Sequence, residues 1–253
     1  MQLLPAEHRS PNSIQTPVLM NPVPAVKILA FDVFGTVVDW HGSIAREVQK
    51  RNLDADPFDF ARAWRSGYKP AMNRVMSGEL GWTRIDDLHR IILDEVLADF
   101  KINLDESARV DLNLVWHRLS PWPDSVPGLH RLNTRYTTCT LSNGNLSLLA
   151  NMAKNAGLPW DLILSAEVFK AYKPHPDTYL GVARVFDVQP EEVMLVAAHH
   201  DDLQAAQECG LRTAYIERPS EYGSDQPKDV SPQSGNDLHA ADFHVLANML
   251  GVG

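Results

Sequence analysis

Near its start the chain reads Ile28-Leu29-Ala30-Phe31-Asp32-Val33-Phe34-Gly35-Thr36, a short apolar run that leads into a carboxylate and a glycine turn. Apolar runs of this length are typical of strands buried on both faces of a parallel sheet. Asp32 would then lie at the carboxyl end of the strand, where open α/β folds bind their ligands. Taken alone, an Asp at this position fits a turn-capping role equally well.

Similar apolar runs recur along the second half of the chain, at residues 137–141, 162–164, 193–198 and 213–216. Helical patterns lie between them, at residues 146–156, 177–186 and 203–209. Gly157 and Gly210 follow two of these patterns, as expected at helix ends. Strands that alternate with helices predict an α/β fold, a Rossmann-like doubly wound parallel sheet.

Residues 43–118 differ, because they contain helical patterns and no clear strand. The predicted helical stretches are 43–51, 58–77, 83–100 and 105–119. We therefore predict an inserted all-helical cap domain at 43–118, over a core domain made of residues 25–42 and 119–253. The proline-containing residues 1–24 are predicted to form a mobile tail or an added strand-like arm.

The overall composition restricts the classes of partner. The chain has 253 residues, 44% hydrophobic, and carries 32 Asp and Glu against 23 Lys and Arg, a net charge of −9. Because no basic run is present, nucleic acid is not an expected partner. No apolar run approaches the roughly 20 residues of a membrane span, so no membrane association is expected.

The chain has two cysteines, Cys139 and Cys209, and neither has CxxC or metal-ligand spacing. Buried free thiols are the favoured interpretation over a disulfide. Free thiols suit a reducing compartment, so a cytoplasmic location is expected.

Three further polar clusters follow the predicted strands or precede the predicted helices. Ser142 and Asn143 precede a helix start, where hydrogen-bond donors suit an anion. Lys173 precedes a proline-initiated helix and is suited to keep a carboxylate nucleophile ionised. The last cluster is His199-His200-Asp201-Asp202, a candidate for proton transfer or metal binding. Each has an ordinary alternative: a helix cap, a solvated lysine and a polar loop.

In this order, these motifs make residues 27–222 resemble the haloacid dehalogenase superfamily. Phosphatases of that superfamily carry a second Asp two positions after the nucleophile and an acidic pair that binds magnesium. Here Phe34 occupies the first position and Ala198 replaces one metal ligand. The resemblance is therefore to the type II (L-2-haloacid or haloacetate) dehalogenases, which attack carbon, and no metal or cofactor is expected.

The resemblance implies a set of site residues and a small halogenated carboxylic acid as substrate. Asp32 would attack the carbon that bears the halogen, and Arg65 would receive the halide. Ser142 and Asn143 would hold the substrate carboxylate, and Thr36, Lys173 and Tyr179 would lie around the nucleophile. Aromatic residues suited to an apolar wall are Phe34, Trp40, Trp64 and Tyr68, although plain core packing explains them equally well. A homodimer is an expectation from the resemblance only.

The fourth motif departs from the better-known members of the family, because His199 replaces an Asn and Ala197 replaces a Ser. Asp202 is retained. The interpretation is a changed arrangement for activating water, with His199, Asp202 or both acting on an ester at Asp32.

Two other functions remain as alternatives. A magnesium-dependent phosphatase of the same fold is kept open by Asp201 and Asp202. A non-catalytic ligand-binding member would use the same cleft, but intact Asp32, Thr36, Ser142 and Lys173 argue against it.

Overall fold

The computed structural model describes residues 25–252. The strands are β1 (Ile28–Phe31), β2 (Val38–Asp39), β3 (Ser120–Pro121), β4 (Thr137–Ser142), β5 (Leu162–Ser165), β6 (Val193–Ala197), β7 (Arg212–Ile216) and β8 (Leu238–Ala240). The α-helices are α1 (Trp40–Lys50), α2 (Pro57–Ser66), α3 (Tyr68–Met76), α4 (Ile85–Asp99), α5 (Glu106–Asn113), α6 (Ser125–Leu132), α7 (Leu146–Ala156), α8 (Ala166–Phe169), α9 (Pro176–Phe186), α10 (His200–Glu208) and α11 (Phe243–Met249). The expectation for residues 1–24 lies outside the described residues.

Six strands form one sheet in the order β5-β4-β1-β6-β7-β8, and every pairing in it is parallel. The predicted α/β fold with a doubly wound parallel sheet is confirmed. β1 lies between β4 and β6, so Asp32 follows a central strand and lies beside the ends of both neighbours. β2 and β3 form a separate antiparallel pair.

Burial on both faces of the sheet explains the apolar runs. In β1, Leu29 and Phe31 pack into one hydrophobic cluster, and Ile28 and Ala30 pack into a second cluster. Successive side chains of a strand point to opposite faces. A strand covered by helices on both sides must therefore be apolar at every position.

Between β2 and β3 the described chain forms helices α1 to α5 and a short 3-10 helix, Leu114–Arg118, joined by loops and without a strand. The predicted stretch 58–77 is two helices, α2 and α3, which meet at Gly67. A Cβ atom at Gly67 would lie 2.5 Å from Cγ2 of Ile92 on α4. The close approach of α4 is the reason that a glycine occupies the junction.

The chain after β7 contains a strand, β8, and a helix, α11, that the hydrophobic pattern did not predict. β8 is only three residues long, and a long connection, residues 217–237, leads to it from β7.

Within residues 25–252, no helix is long and apolar enough to cross a membrane.

Candidate active site

A cavity of about 700 Å³ opens at the carboxyl edge of the sheet, beside β1. One side is formed by residues that follow strands, and the other by α2 and α3. The lining residues that matter chemically are Asp32, Phe34, Arg65, Tyr68, Met72, Asn143, Lys173, Tyr179, His199 and Asp202. The cavity therefore brings the separate motifs of the sequence into one site.

Asp32 is buried and accepts hydrogen bonds from three different segments. Thr36 Oγ1 lies 2.7 Å from Oδ2, Lys173 Nζ lies 3.0 Å from Oδ1, and His199 Nδ1 lies 3.1 Å from Oδ2. Burial alone would raise the pKa of Asp32, but the charge of Lys173 and the hydrogen bond and charge of His199 hold it far below the usual range. Asp32 is therefore an ionised, oriented carboxylate at the wall of a cavity.

Lys173 joins Asp32 to a second carboxylate. Its Nζ lies 2.5 Å from Oδ2 of Asp202, whose other oxygen accepts from the Tyr179 hydroxyl at 2.7 Å. Burial opposes the charge of Lys173, but Asp202 and Asp32 outweigh it and raise the pKa of the ammonium. Burial, opposed by Lys173, raises the pKa of the Asp202 carboxyl. Lys173 therefore pairs with two buried carboxylates. Asp32 accepts from Thr36, Lys173 and His199, whereas the side chain of Asp202 accepts from Lys173 and Tyr179.

The two adjacent histidines of the fourth motif point in different directions. His199 faces Asp32, whereas the ring of His200 stacks on Tyr215 at 4.1 Å between centroids. The other ring nitrogen of His199, Nε2, lies 2.8 Å from Oε1 of Glu221. Only one of the two histidines therefore belongs to the site.

Glu221 is a site residue that the sequence reasoning missed. It is 1% exposed, and it bonds His199, the Trp40 indole nitrogen at 3.2 Å and Lys228 Nζ at 2.6 Å. Burial would raise the pKa of Glu221, but His199 and Lys228 lower it to about 2. Glu221 lies in the connection after β7, and no pattern around it distinguishes it from a surface glutamate.

Two anions make His199 cationic at neutral pH. Burial would lower the pKa of His199, but the charge of Glu221, together with hydrogen bonding and charge from Asp32, raises it to about 9. In the resting site, the imidazolium therefore donates to Asp32 from Nδ1 and to Glu221 from Nε2.

Arg65 reaches the cavity from α2. Its guanidinium lies 4.0 Å from the centre of the Tyr68 ring and 5.5 Å and 6.0 Å from those of Trp40 and Phe34. Among the described residues, no hydrogen-bond partner is present for the buried Nη1 atom. A buried donor without an acceptor costs about 1–3 kcal/mol, so this atom is suited to an anion that enters the cavity.

Asn143 is also at the cavity wall. Its Oδ1 accepts from the backbone N–H of Lys173 at 2.8 Å, and its Nδ2 lies 3.3 Å from the sulfur of Met72. Sulfur is a weak acceptor, so a carboxylate would be a better partner for Nδ2. The same amide group therefore positions Lys173 and offers a donor to the cavity.

Other predicted residues lie behind the cavity surface. Ser142 is fully buried, and its Oγ accepts from the N–H of Gly144 at 3.1 Å. Thr36 contacts Asp32 and accepts from the N–H of Ala198 at 2.9 Å. Trp40 contacts Glu221, and Trp64 donates to the backbone oxygen of His89. Thr36 and Trp40 therefore support site residues. Of the four aromatic residues predicted for the wall, Phe34 and Tyr68 line the cavity.

The helix-start amides at α7 are partly occupied. The N–H of Leu146 donates to Glu167 Oε2 at 2.8 Å, in addition to the Gly144 bond to Ser142. Within the cavity, Asn143 Nδ2 is therefore a better candidate for holding a substrate carboxylate than these two amides.

The residues beside Asp32 do not fit the magnesium site of a phosphatase. Ala198 supplies no carboxylate, and Lys173 places an ammonium between Asp32 and Asp202. No cluster of three or more His, Cys, Asp or Glu suited to a metal occurs within residues 25–252. The ammonium group of Lys173 is a cation of the chain itself that contacts Asp32.

Comparisons with known proteins agree on one family. A family model described as haloacid dehalogenase-like hydrolase matches residues 26–210. An (S)-2-haloacid dehalogenase of Xanthobacter autotrophicus is 30% identical over 206 residues, 78% of this chain and 77% of that protein. The crystal structure of the L-2-haloacid dehalogenase PA0810 is 44% identical, with a TM-score of 0.86 over 91% of this chain and 100% of that one. A defluorinating L-2-haloacid dehalogenase, Rha0230, is also 44% identical, with a TM-score of 0.85 over 89% and 95%.

Proposed function

The chain belongs to the haloacid dehalogenase-like hydrolases, and we propose that it hydrolyses small 2-haloacids to 2-hydroxy acids and halide. Substrates of this class are a haloacetate or an (S)-2-haloalkanoate. The observation that carries the proposal is an ionised Asp32 at one side of a cavity, with Arg65 entering from the other side. Within residues 25–252, the Nη1 atom of Arg65 has no hydrogen-bond partner.

In the first step, Asp32 attacks the carbon that bears the halogen. Thr36, Lys173 and His199 orient the carboxylate, and Asn143 Nδ2 holds the carboxylate of the substrate. The carbon–halogen bond breaks as the Asp32 ester forms, and the electron pair leaves with the halide. A leaving halide needs no proton, which is why Phe34 is tolerated where a phosphatase has an acid.

Arg65 receives the halide within the aromatic wall of Phe34 and Tyr68. The guanidinium is stacked on Tyr68, so its orientation is restricted before the anion forms. A preorganised cation in a site shielded from water stabilises developing negative charge more than a mobile one.

In the second step, water attacks the carbonyl carbon of the Asp32 ester. His199 removes the proton of that water, because its Nδ1 faces Asp32. Asp202 assists by holding Lys173 and Tyr179. The ester bond breaks, the 2-hydroxy acid leaves, and the carboxylate is restored, so one displacement is divided into two steps.

Halide release tests the activity directly. The panel contains chloroacetate, bromoacetate, fluoroacetate and both enantiomers of 2-chloropropionate, each with and without chelator, beside a panel of phosphate esters. We expect halide from at least one haloacid and equal rates with chelator. Phosphate release that chelator abolishes, with no halide from any acid, would overturn the proposal.

A single turnover with excess enzyme in heavy-oxygen water tests the ester. The first label should enter Asp32 and not the hydroxy acid, because water attacks the carboxyl carbon of Asp32. Asp32→Asn should release no halide. Label in the first product would exclude the ester route while leaving hydrolysis itself in place.

We also propose a cytoplasmic location. Within the described residues, both Cys139 and Cys209 are free, and free thiols persist in reducing compartments. A homodimer remains a prediction from the family resemblance, which sedimentation of the purified chain tests. Nucleic acid is not proposed as a partner, given the net charge of −9.

A further inference from the structure

The connection after β7 places a buried carboxylate behind His199, and we propose that Glu221 is a positioning residue for ester hydrolysis. Glu221 orients His199 so that Nδ1 faces the Asp32 ester. Lys228 partly offsets the negative charge that Glu221 places beside His199. The inference rests on the proposed function, because His199 acts here on an ester that only the first step forms.

The contacts of Glu221 determine which nitrogen of His199 keeps a proton. Oε1 accepts from His199 Nε2 at 2.8 Å and from Trp40 Nε1 at 3.2 Å, and Oε2 accepts from Lys228 at 2.6 Å. An ionised carboxylate can only accept hydrogen bonds. Neutral His199 therefore keeps its proton on Nε2, and Nδ1 presents a lone pair toward Asp32.

The connection that carries Glu221 is tied to the first and fourth motifs. Arg218 donates from Nε to the backbone oxygen of Thr36 at 2.8 Å and pairs with both oxygens of Asp124 at 2.9 and 2.8 Å. Lys228 Nζ also lies 2.5 Å from the backbone oxygen of Ala198. These contacts hold both ends of the segment around Glu221 against the site.

Gly35 in the first motif provides the space for this arrangement. A Cβ atom there would lie 2.2 Å from Oε1 of Glu221 and 3.2 Å from Cε1 of His199. The φ angle of Gly35 is +89°, which side chains rarely adopt. The turn beside the nucleophile is therefore shaped to admit the His199–Glu221 pair.

Formation of the ester changes the charge that His199 experiences. In the resting site, the anions Asp32 and Glu221 both favour the imidazolium, which raises the pKa of His199 to about 9. The ester removes the charge of Asp32, so the pKa of His199 falls and the Nδ1 proton leaves to solvent. The base is therefore generated when there is an ester to hydrolyse.

The protons balance over the cycle. Neutral His199 takes a proton from water as the hydroxide adds to the ester carbon, and returns it to the departing alkoxide. The carboxylic acid left at Asp32 then gives its proton to His199, which restores the resting ion pair. The sum is one haloacid and one water converted to hydroxy acid, halide and one proton.

Two substitutions should move the pH dependence in opposite directions. The charged groups around His199 are Asp32, with Lys173 and Asp202 behind it, and Glu221, with Lys228 behind it. Glu221→Gln removes an anion, so the pKa of His199 should fall. Lys228→Met removes a cation that offsets Glu221, so the pKa of His199 should rise.

The experiment follows hydrolysis of the Asp32 ester after mixing with (S)-2-chloropropionate, by quenched-flow and intact-protein mass. In Glu221→Gln, a stoichiometric burst of halide should precede a plateau rate reduced by about 10²-fold, with the ester adduct visible. In Glu221→Gln, the rise of the ester-hydrolysis rate with pH should occur about one pH unit or more below that of wild type. In Lys228→Met, the same rise should occur at a higher pH than in wild type. Glu217→Gln, which removes a side-chain contact with His239 outside the site, is the matched control.

The outcomes separate this inference from the proposed function. Wild-type protein that releases no halide overturns both. Wild-type release with Glu221→Gln unchanged in rate and in its rise with pH overturns the role of Glu221 alone. If Glu221→Gln fails to fold, Lys228→Met decides: a rise shifted to higher pH supports the role, and an unshifted rise overturns it.

Discussion

The Nζ atom of Lys173 lies 3.0 Å from Oδ1 of Asp32, and both side chains are almost completely buried. The two residues are 141 positions apart in the sequence. Lys173 precedes α9, whereas Asp32 follows β1. The contact places a fixed positive charge beside Asp32, the residue proposed as the nucleophile.

Lys173→Met should abolish most of the activity and lower stability. The substitution leaves Asp32 and Asp202 buried without their shared cation, and breaking such a pair costs about 3–5 kcal/mol. Without Lys173 the pKa of Asp32 rises, so residual activity should appear only at higher pH. Urea unfolding and the pH profile of halide release measure both effects. Lys154→Met, on the exposed face of α7, should match wild type; equal activity in the two variants would contradict the assignment.

Arg65→Lys should slow halide release by about 10²-fold. Lysine keeps the charge but loses the planar guanidinium that stacks on Tyr68. Added bromide should inhibit the wild type by occupying the same site, and this inhibition should weaken in the variant. The control is Arg74→Lys on α3, where the arginine pairs with Glu79. Unchanged bromide inhibition in Arg65→Lys would place the halide elsewhere.

Two glycine substitutions separate backbone strain from crowding of the site. Gly35 and Gly157 both have positive φ angles, +89° and +69°, but a Cβ built at Gly157 has no atom of residues 25–252 within 4 Å. Each change to alanine should therefore cost about 1–2 kcal/mol of stability. Only Gly35→Ala should also slow ester hydrolysis, because it displaces Glu221. Similar turnover in both variants would remove the crowding argument.

The pH dependence of stability should show the raised pKa of His199. That pKa lies at about 9 instead of 6.5, so the stabilisation by the imidazolium is complete below about pH 6.5 and is lost as the pH rises through about 9. The difference in Tm between wild type and His199→Gln should therefore narrow over this interval. A difference that stays constant or widens toward high pH would show that His199 is neutral in the resting protein.

The sheet and its order of elements were accessible from the sequence because they depend on local patterns. Apolar runs predicted β1, β4, β5, β6 and β7, and the helix α7 was predicted at its observed bounds. The break at Gly67 and the short β8 were not predicted. A helix junction set by a neighbouring helix, and a strand of three residues, leave too little periodic signal in a single sequence.

For the site, motif order together with the family resemblance pointed to residues that line one cavity. Asp32 and His199 lie together because they follow the neighbouring parallel strands β1 and β6. Lys173, before α9, and Asp202, in α10, reach the same cavity. Ser142 was predicted from its position before a helix start, and Thr36 and Trp40 were placed by resemblance. The side chains of all three lie behind the cavity wall. Whether a side chain points into the cavity depends on packing that a motif does not record.

The sequence by itself thus determined the α/β sheet, the position of Asp32 at the end of β1 and the absence of an acid at Phe34. Only the tertiary structure decided that Glu221 and Lys228 complete the surroundings of His199. The physical reason is that hydrophobic periodicity reports which residues are buried within one element. The path of the connection after β7, which brings Glu221 to His199, depends instead on contacts such as Arg218 with Asp124, made between residues 94 positions apart.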